Sequence, residues 1–70
     1  MMPDTKFDPF AALVCYVRRF ASAEELRFVS LTWLRLCASV AAREFHTDPV
    51  AIDENVRWRL VRALGGAAHV

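Results

Sequence analysis

No catalytic, metal-binding or nucleotide-binding motif can be read in this sequence. His46, His69, Asp48, Cys15 and Cys37 are its only candidate metal ligands. They form no C-x-x-C, H-x-x-x-H or H-E-x-x-H spacing, and His46 is better read as a polar residue near a helix end. The acidic pairs Glu24/Glu25 and Asp53/Glu54 each fall where a helix is expected to begin, and the helix dipole accounts for carboxylates there. A catalytic site also needs a pocket, and one of about 300 Å³ is hard to enclose in a chain of 70 residues. The expectation is a protein that is not an enzyme and carries no cofactor and no metal.

Other absences narrow the class further. Two cysteines do not make a disulfide framework, and both fall within helical patterns, where the thiol behaves as a small buried hydrophobe. Reduced thiols and a cytoplasmic location are therefore expected. Residues 1–4, Met-Met-Pro-Asp, have neither the basic region nor the apolar run of a signal peptide. No stretch approaches the uncharged length of about 18 residues that suits a membrane helix, because Arg27, Arg35 and Arg43 interrupt the most apolar segment. Lysine occurs once, at Lys6, against eight arginines. With abundant Ala and Val, that balance suits a GC-rich coding sequence, bacterial or phage. A net charge of +1 is too small for a chain built to wrap nucleic acid or coat an anionic membrane. Internal repeats and low-complexity segments are missing as well.

What the chain has in excess is apolar surface. Hydrophobic residues make up 56% of it, above the usual range of about 45–50%. A chain this short buries only about 60% of its unfolded surface. A monomer would leave much of that apolar surface wet, and self-association is the simplest remedy.

The patterning is helical throughout. Residues 1–7 read as a flexible N-terminal arm, with Phe7 as a hydrophobic latch before the first cap. Asp8 as N-cap and Pro9 at the first helical position start a helix expected over 9–21. Phe10, Leu13, Val14, Val17 and Phe20 share one of its faces. Ser22 and Glu25 form a capping box ahead of a second, long helix over 23–45, which holds neither Pro nor Gly. At about 100° per residue that helix has two apolar faces. Leu26, Val29, Trp33, Leu36, Cys37 and Val40 lie on one, and Leu31, Leu34, Ala38, Ala42 and Phe45 on the other. Asp48 and Pro49 open a third helix over 49–64, with Ile52, Val56, Leu60 and Ala63 as its core stripe. Gly65 and Gly66 then supply a stop. The expected fold class is all-α: three helices in a single domain over 8–66, a frayed end over 67–70, and a dimeric bundle built on the long central helix.

A protein-interaction regulator follows from surplus apolar surface without chemistry. The chain is expected to bind and inhibit or modulate a larger protein, as a homodimer. The second face of the central helix (Leu31, Leu34, Ala38, Ala42, Phe45) is the expected dimer interface. Trp, Tyr and Arg dominate interface hot spots. Arg57, Trp58 and Val61 on the third helix, with Tyr16 and Arg19 on the first, are the candidate partner-binding residues. The alternative is a small DNA-binding regulator presenting Asn55, Arg59 and Arg62 from the third helix. Asp53 and Glu54 count against it, because they occupy the part of the helix that usually reads bases.

Overall fold

The computed structural model describes residues 7–65. The expected arm apart from Phe7, the stop at Gly66, His69 and the frayed end lie outside the described residues. The described chain is all-α, with four helices rather than three: α1 (Pro9–Val17), α2 (Ala23–Leu26), α3 (Leu31–Glu44) and α4 (Glu54–Gly65).

The start of α1 is as the sequence predicts. The Asp8 carboxylate accepts from the Ala11 amide at 2.9 Å, and Pro9 needs no partner for an N–H it lacks. The helix stops at Val17, four residues short of the expected 9–21. Residues 18–20 form a turn in which the Phe20 and Ala21 amides both donate to the Val17 carbonyl. That turn moves Phe20 off the core face to which the periodicity assigned it, and 58% of its surface is exposed.

Both halves of the capping box at Ser22 and Glu25 form, at 2.8 and 3.2 Å. The long helix they were expected to open lasts a single turn. In a continuous helix the carbonyls of Leu26, Arg27 and Val29 would accept from the amides of Ser30, Leu31 and Trp33. Here all three accept instead from Nη1 of Arg57, at 2.9, 3.2 and 2.8 Å. The Trp33 amide, released from Val29, is taken by the Ser30 hydroxyl at 3.0 Å, so Ser30 is the N-cap of a new helix. One buried guanidinium and one serine thus replace the hydrogen bonds of a helical turn. Residues 23–45, expected as one helix, become two.

The far end of α3 closes in a Schellman-type motif. The Thr47 amide donates back to the Ala42 carbonyl at 2.9 Å, and His46 takes a left-handed conformation with φ of 54°. That position usually holds glycine, which explains His46 as a helix-end residue. The Thr47 hydroxyl donates to the Phe7 carbonyl at 2.9 Å, and the Phe7 ring stacks on Phe45 with centroids 4.9 Å apart. Phe7, the last residue of the expected flexible arm, is thereby fastened as a latch.

The third expected helix starts five residues later than Pro49. Asp53, not Asp48, caps it: its carboxylate accepts from the Val56 amide at 3.0 Å and its carbonyl from the Arg57 amide. Residues 48–53 run without helical structure, which lets Ile52 enter the core ahead of the helix. Gly65 is the last described residue of α4. A Cβ there would lie 3.0 Å from the Ala23 side chain, so the missing side chain permits a close approach to α2.

The core joins all four helices. Leu13 and Val17 of α1, Leu26 of α2, Leu34 of α3 and Leu60 of α4 are fully buried. α1 packs mainly on α3, and α2 mainly on α4. The contacts of Arg57 with residues 26–29 and of Gly65 with Ala23 set α2 and α4 antiparallel. Small residues line the α3 side of the core: Ala38, Ala41 and Ala42, with Ala12 from α1. They allow helix backbones to come close. Of the expected core stripe on the last helix, Ile52, Val56 and Leu60 are buried, whereas Ala63 is exposed.

Two substitutions test this frame by urea denaturation. Ser30→Ala is expected to cost about 1 kcal/mol through the lost cap. In an unbroken helix the same change would be neutral or stabilising, because alanine is the better helix former. Arg57→Ala leaves three carbonyls without their donor and is expected to cost about 3 kcal/mol, with Arg57→Lys in between because an ammonium lacks the planar fork.

Candidate functional site

The two faces of the central segment are covered to different extents. Leu34, Ala38 and Ala42 are 0%, 3% and 8% exposed, and Leu31 and Phe45 pack against the same cluster. This is the face expected to form the dimer interface, and it is covered within one chain. The reason is steric: its alanines accommodate a neighbouring helix at close range, as the bulky residues on the opposite side cannot. On the opposite face Leu26 and Cys37 are buried and Val29 and Trp33 pack against the core, so only its outer edge is open. Trp33, Leu36 and Val40 of α3 form a stripe at i, i+3 and i+7, and Leu36 is 61% exposed.

Beside the stripe lies an open concavity of about 190 Å³. Tyr16 and Phe20 form its α1 side, and Trp33, Leu36, Cys37 and Val40 its α3 side. The two aromatic rings of the α1 side meet at a tilt, with centroids 5.0 Å apart. Phe20 reaches this position because α1 ends early and the following turn swings it outward. No charged residue is in the lining. Charge is confined to the border, where Arg19 bridges to Glu44 at 3.5 Å and lies 5.9 Å from the Tyr16 ring. Both ends of that bridge are well exposed, so it orients the border more than it stabilises the fold. Burial raises the Cys37 thiol above its ordinary pKa, which keeps it protonated and unreactive in the groove wall.

The candidate partner-binding residues divide into three groups. Tyr16 and Arg19 sit at the groove, as described. Arg57 is 8% exposed and faces inward. Beyond the three carbonyls, its Nε and Nη2 hold the Glu54 carboxylate at 2.7 and 3.2 Å. The hydrogen bond from Arg57 lowers the Glu54 pKa below the usual carboxylate value. Arg57 is thus a structural residue, fully engaged inside the chain. Trp58 faces outward, 41% exposed, with the Arg27 guanidinium 5.9 Å from its ring. Val61 is half-buried against the core. Phe28, on the turn between α2 and α3, is 79% exposed, more than any other large apolar residue among those described. In an uninterrupted helix Phe28 reads only as an apolar break in the narrow polar seam, which does not mark it as a contact residue.

Of the arginines proposed for DNA contact, Arg59 lies 4.2 Å from the centroid of the Phe10 ring, a cation–π contact between α4 and α1. Arg59, Arg62 and Asn55 are all exposed. No group of three or more His, Cys, Asp or Glu side chains that could hold a metal ion occurs among the described residues. None of the described helices is long and apolar enough to cross a membrane. No protein-family model matches the chain, and neither a curated protein nor a solved structure matches it.

The contrast between the two faces of α3 is measurable in dilute solution. Leu34→Ala is expected to lower stability by about 2–5 kcal/mol. Leu36→Ala, two positions away, should leave the helical circular dichroism intact and stability within about 0.5 kcal/mol.

Proposed function

We propose that this chain is a non-enzymatic regulator that acts by stoichiometric contact with a larger protein and associates with itself. The observation that carries the reading is the presence of two separate apolar surfaces on a small fold whose core is already filled. One is the groove between α1 and α3. The other is the Trp58 edge of α4, with Arg27 beside the indole and Phe28 on the adjoining turn.

The Trp58 edge suits a protein partner. An aromatic ring flanked by a guanidinium is a frequent interface anchor, because it combines apolar area with a directional charge. The turn that carries Arg27 and Phe28 is held by Arg57, so these side chains are offered from a fixed backbone and lose less freedom on binding. The groove supports contact with protein more than with a small ligand, since at about 190 Å³ it falls below the roughly 300–1,000 Å³ of ligand pockets.

DNA binding through α4 has weaker support. Asn55, Arg59 and Arg62 are exposed, but Arg59 is drawn over the Phe10 ring and Glu54 stands at the start of the helix. The two readings separate in an affinity capture from host lysate treated with nuclease. A protein partner retained by the wild type after nuclease, and lost with Trp58→Ala while the circular dichroism is unchanged, is the expected result. Capture that vanishes on nuclease treatment, or that Trp58→Ala leaves intact, would count against this assignment.

A further inference from the structure

The Arg57 fork is directed from outside the core. Its own side chain is 10% exposed, whereas the Glu54 side chain that holds it is 60% exposed. We propose that Glu54 is a positioning residue for the Trp58 edge: acting through Arg57, it sets the geometry of the turn that carries Arg27 and Phe28. This deepens the proposed partner contact and rests on that reading.

A guanidinium has its donors in one fixed plane and several ways to point them. Glu54 removes the choice. Its two oxygens accept from Nε and Nη2 at 2.7 and 3.2 Å, a side-on, two-point pairing that fixes both the plane and the direction of the fork. Nη1 is the nitrogen left over on the far side, and it meets the carbonyls of Leu26, Arg27 and Val29. It shares its hydrogens among three acceptors, so rotation of the plane costs contacts at the turn. Asp53 cannot take over the task, because its carboxylate is occupied by the Val56 amide.

The dipole of α4 accounts for an acid at this position but for nothing at the turn. An exposed ion pair within one helix is ordinarily worth little. Here the pair has a third member, the turn itself. The Arg27 and Phe28 amides continue α2 by donating to the Glu24 and Glu25 carbonyls, at 3.2 and 3.0 Å. The Arg27 guanidinium lies 5.9 Å from the Trp58 ring. Trp58 follows Arg57 directly on α4, so one arginine ties the indole to the turn that faces it. Loosening the fork therefore separates Arg27 from Trp58.

Amide hydrogen exchange and side-chain NMR on the full chain test this relay without any partner present. In Glu54→Ala the Phe28 amide should exchange roughly tenfold faster, the factor expected for one lost charge-assisted hydrogen bond. The Phe45 amide, bonded to the Ala41 carbonyl at the far end of α3, is the reference for any change shared by the whole fold. The Arg27 Cδ protons should lose the ring-current shift that Trp58→Ala removes directly. Glu54→Gln keeps an acceptor for Nε and should restore part of both signals. If Glu54→Ala does not fold, Glu54→Gln carries the test by the same two readings. Exchange that rises equally at Phe28 and Phe45, or an Arg27 shift that Glu54→Ala leaves unchanged, overturns the proposal and reduces Glu54 to a helix-end carboxylate. Lysate capture that Trp58→Ala leaves intact concerns the partner reading alone. A relay absent by NMR, with capture still lost in Trp58→Ala, concerns this inference alone.

Discussion

The architecture depends on the guanidinium of Arg57. Backbone carbonyls removed from water need donors, and the usual donor is the amide four residues on. Between α2 and α3 the chain gives up that solution and takes Nη1 of Arg57 for three carbonyls at once. Arginine can do this because its planar, permanently charged fork offers several donors in fixed directions. The Glu54 carboxylate takes the remaining edge of the fork, so no buried side-chain donor or acceptor is left unmatched among the described residues. A break in the helix, which would otherwise be costly, becomes the joint on which α2 turns back against α4.

That joint also explains the distribution of apolar surface. Once α2 separates from α3, Leu26 packs inward with α4 while Phe28 stays in the turn. α3 then lies against α1 through its alanines. Of the bulky stripe, Trp33 packs against the core and Val40 is half-buried, while Leu36 stays exposed beside the groove that Tyr16 and Phe20 line from the other side. The apolar groove follows from how the core was filled.

Much of the local structure was legible in the residues. Asp8 with Pro9, and Ser22 with Glu25, are caps whose chemistry lies within four residues, and both form as read. The two apolar faces of the central segment were visible too. Which of them is internal was not, because that depends on distance between helices, and residue type hints at it only through the alanines. The break at residues 27–30 was hidden for a related reason. Nothing between Ser22 and Phe45 forbids a helix, and the residue that competes with its hydrogen bonds lies some thirty positions away. Asp48 before Pro49 reads as the cap of the last helix, yet Asp53 takes that role, and burial of Ile52 accompanies the later start. Arg57 was misread as a surface anchor because a charged residue beside a tryptophan looks the same in sequence whether it points outward or inward.

The separation of Arg57 from its acceptors, 28 to 31 residues along the chain, sets an order of events during synthesis. While residues 22–45 are being extended on the ribosome, no guanidinium is yet available to the carbonyls of Leu26, Arg27 and Val29. Their own downstream amides are the nearest donors, and local helix forms faster than any contact across such a distance. Until residue 57 is joined, those amides are the donors within reach of the three carbonyls. The break between α2 and α3 is therefore complete only once residue 57 has been added and has packed against it.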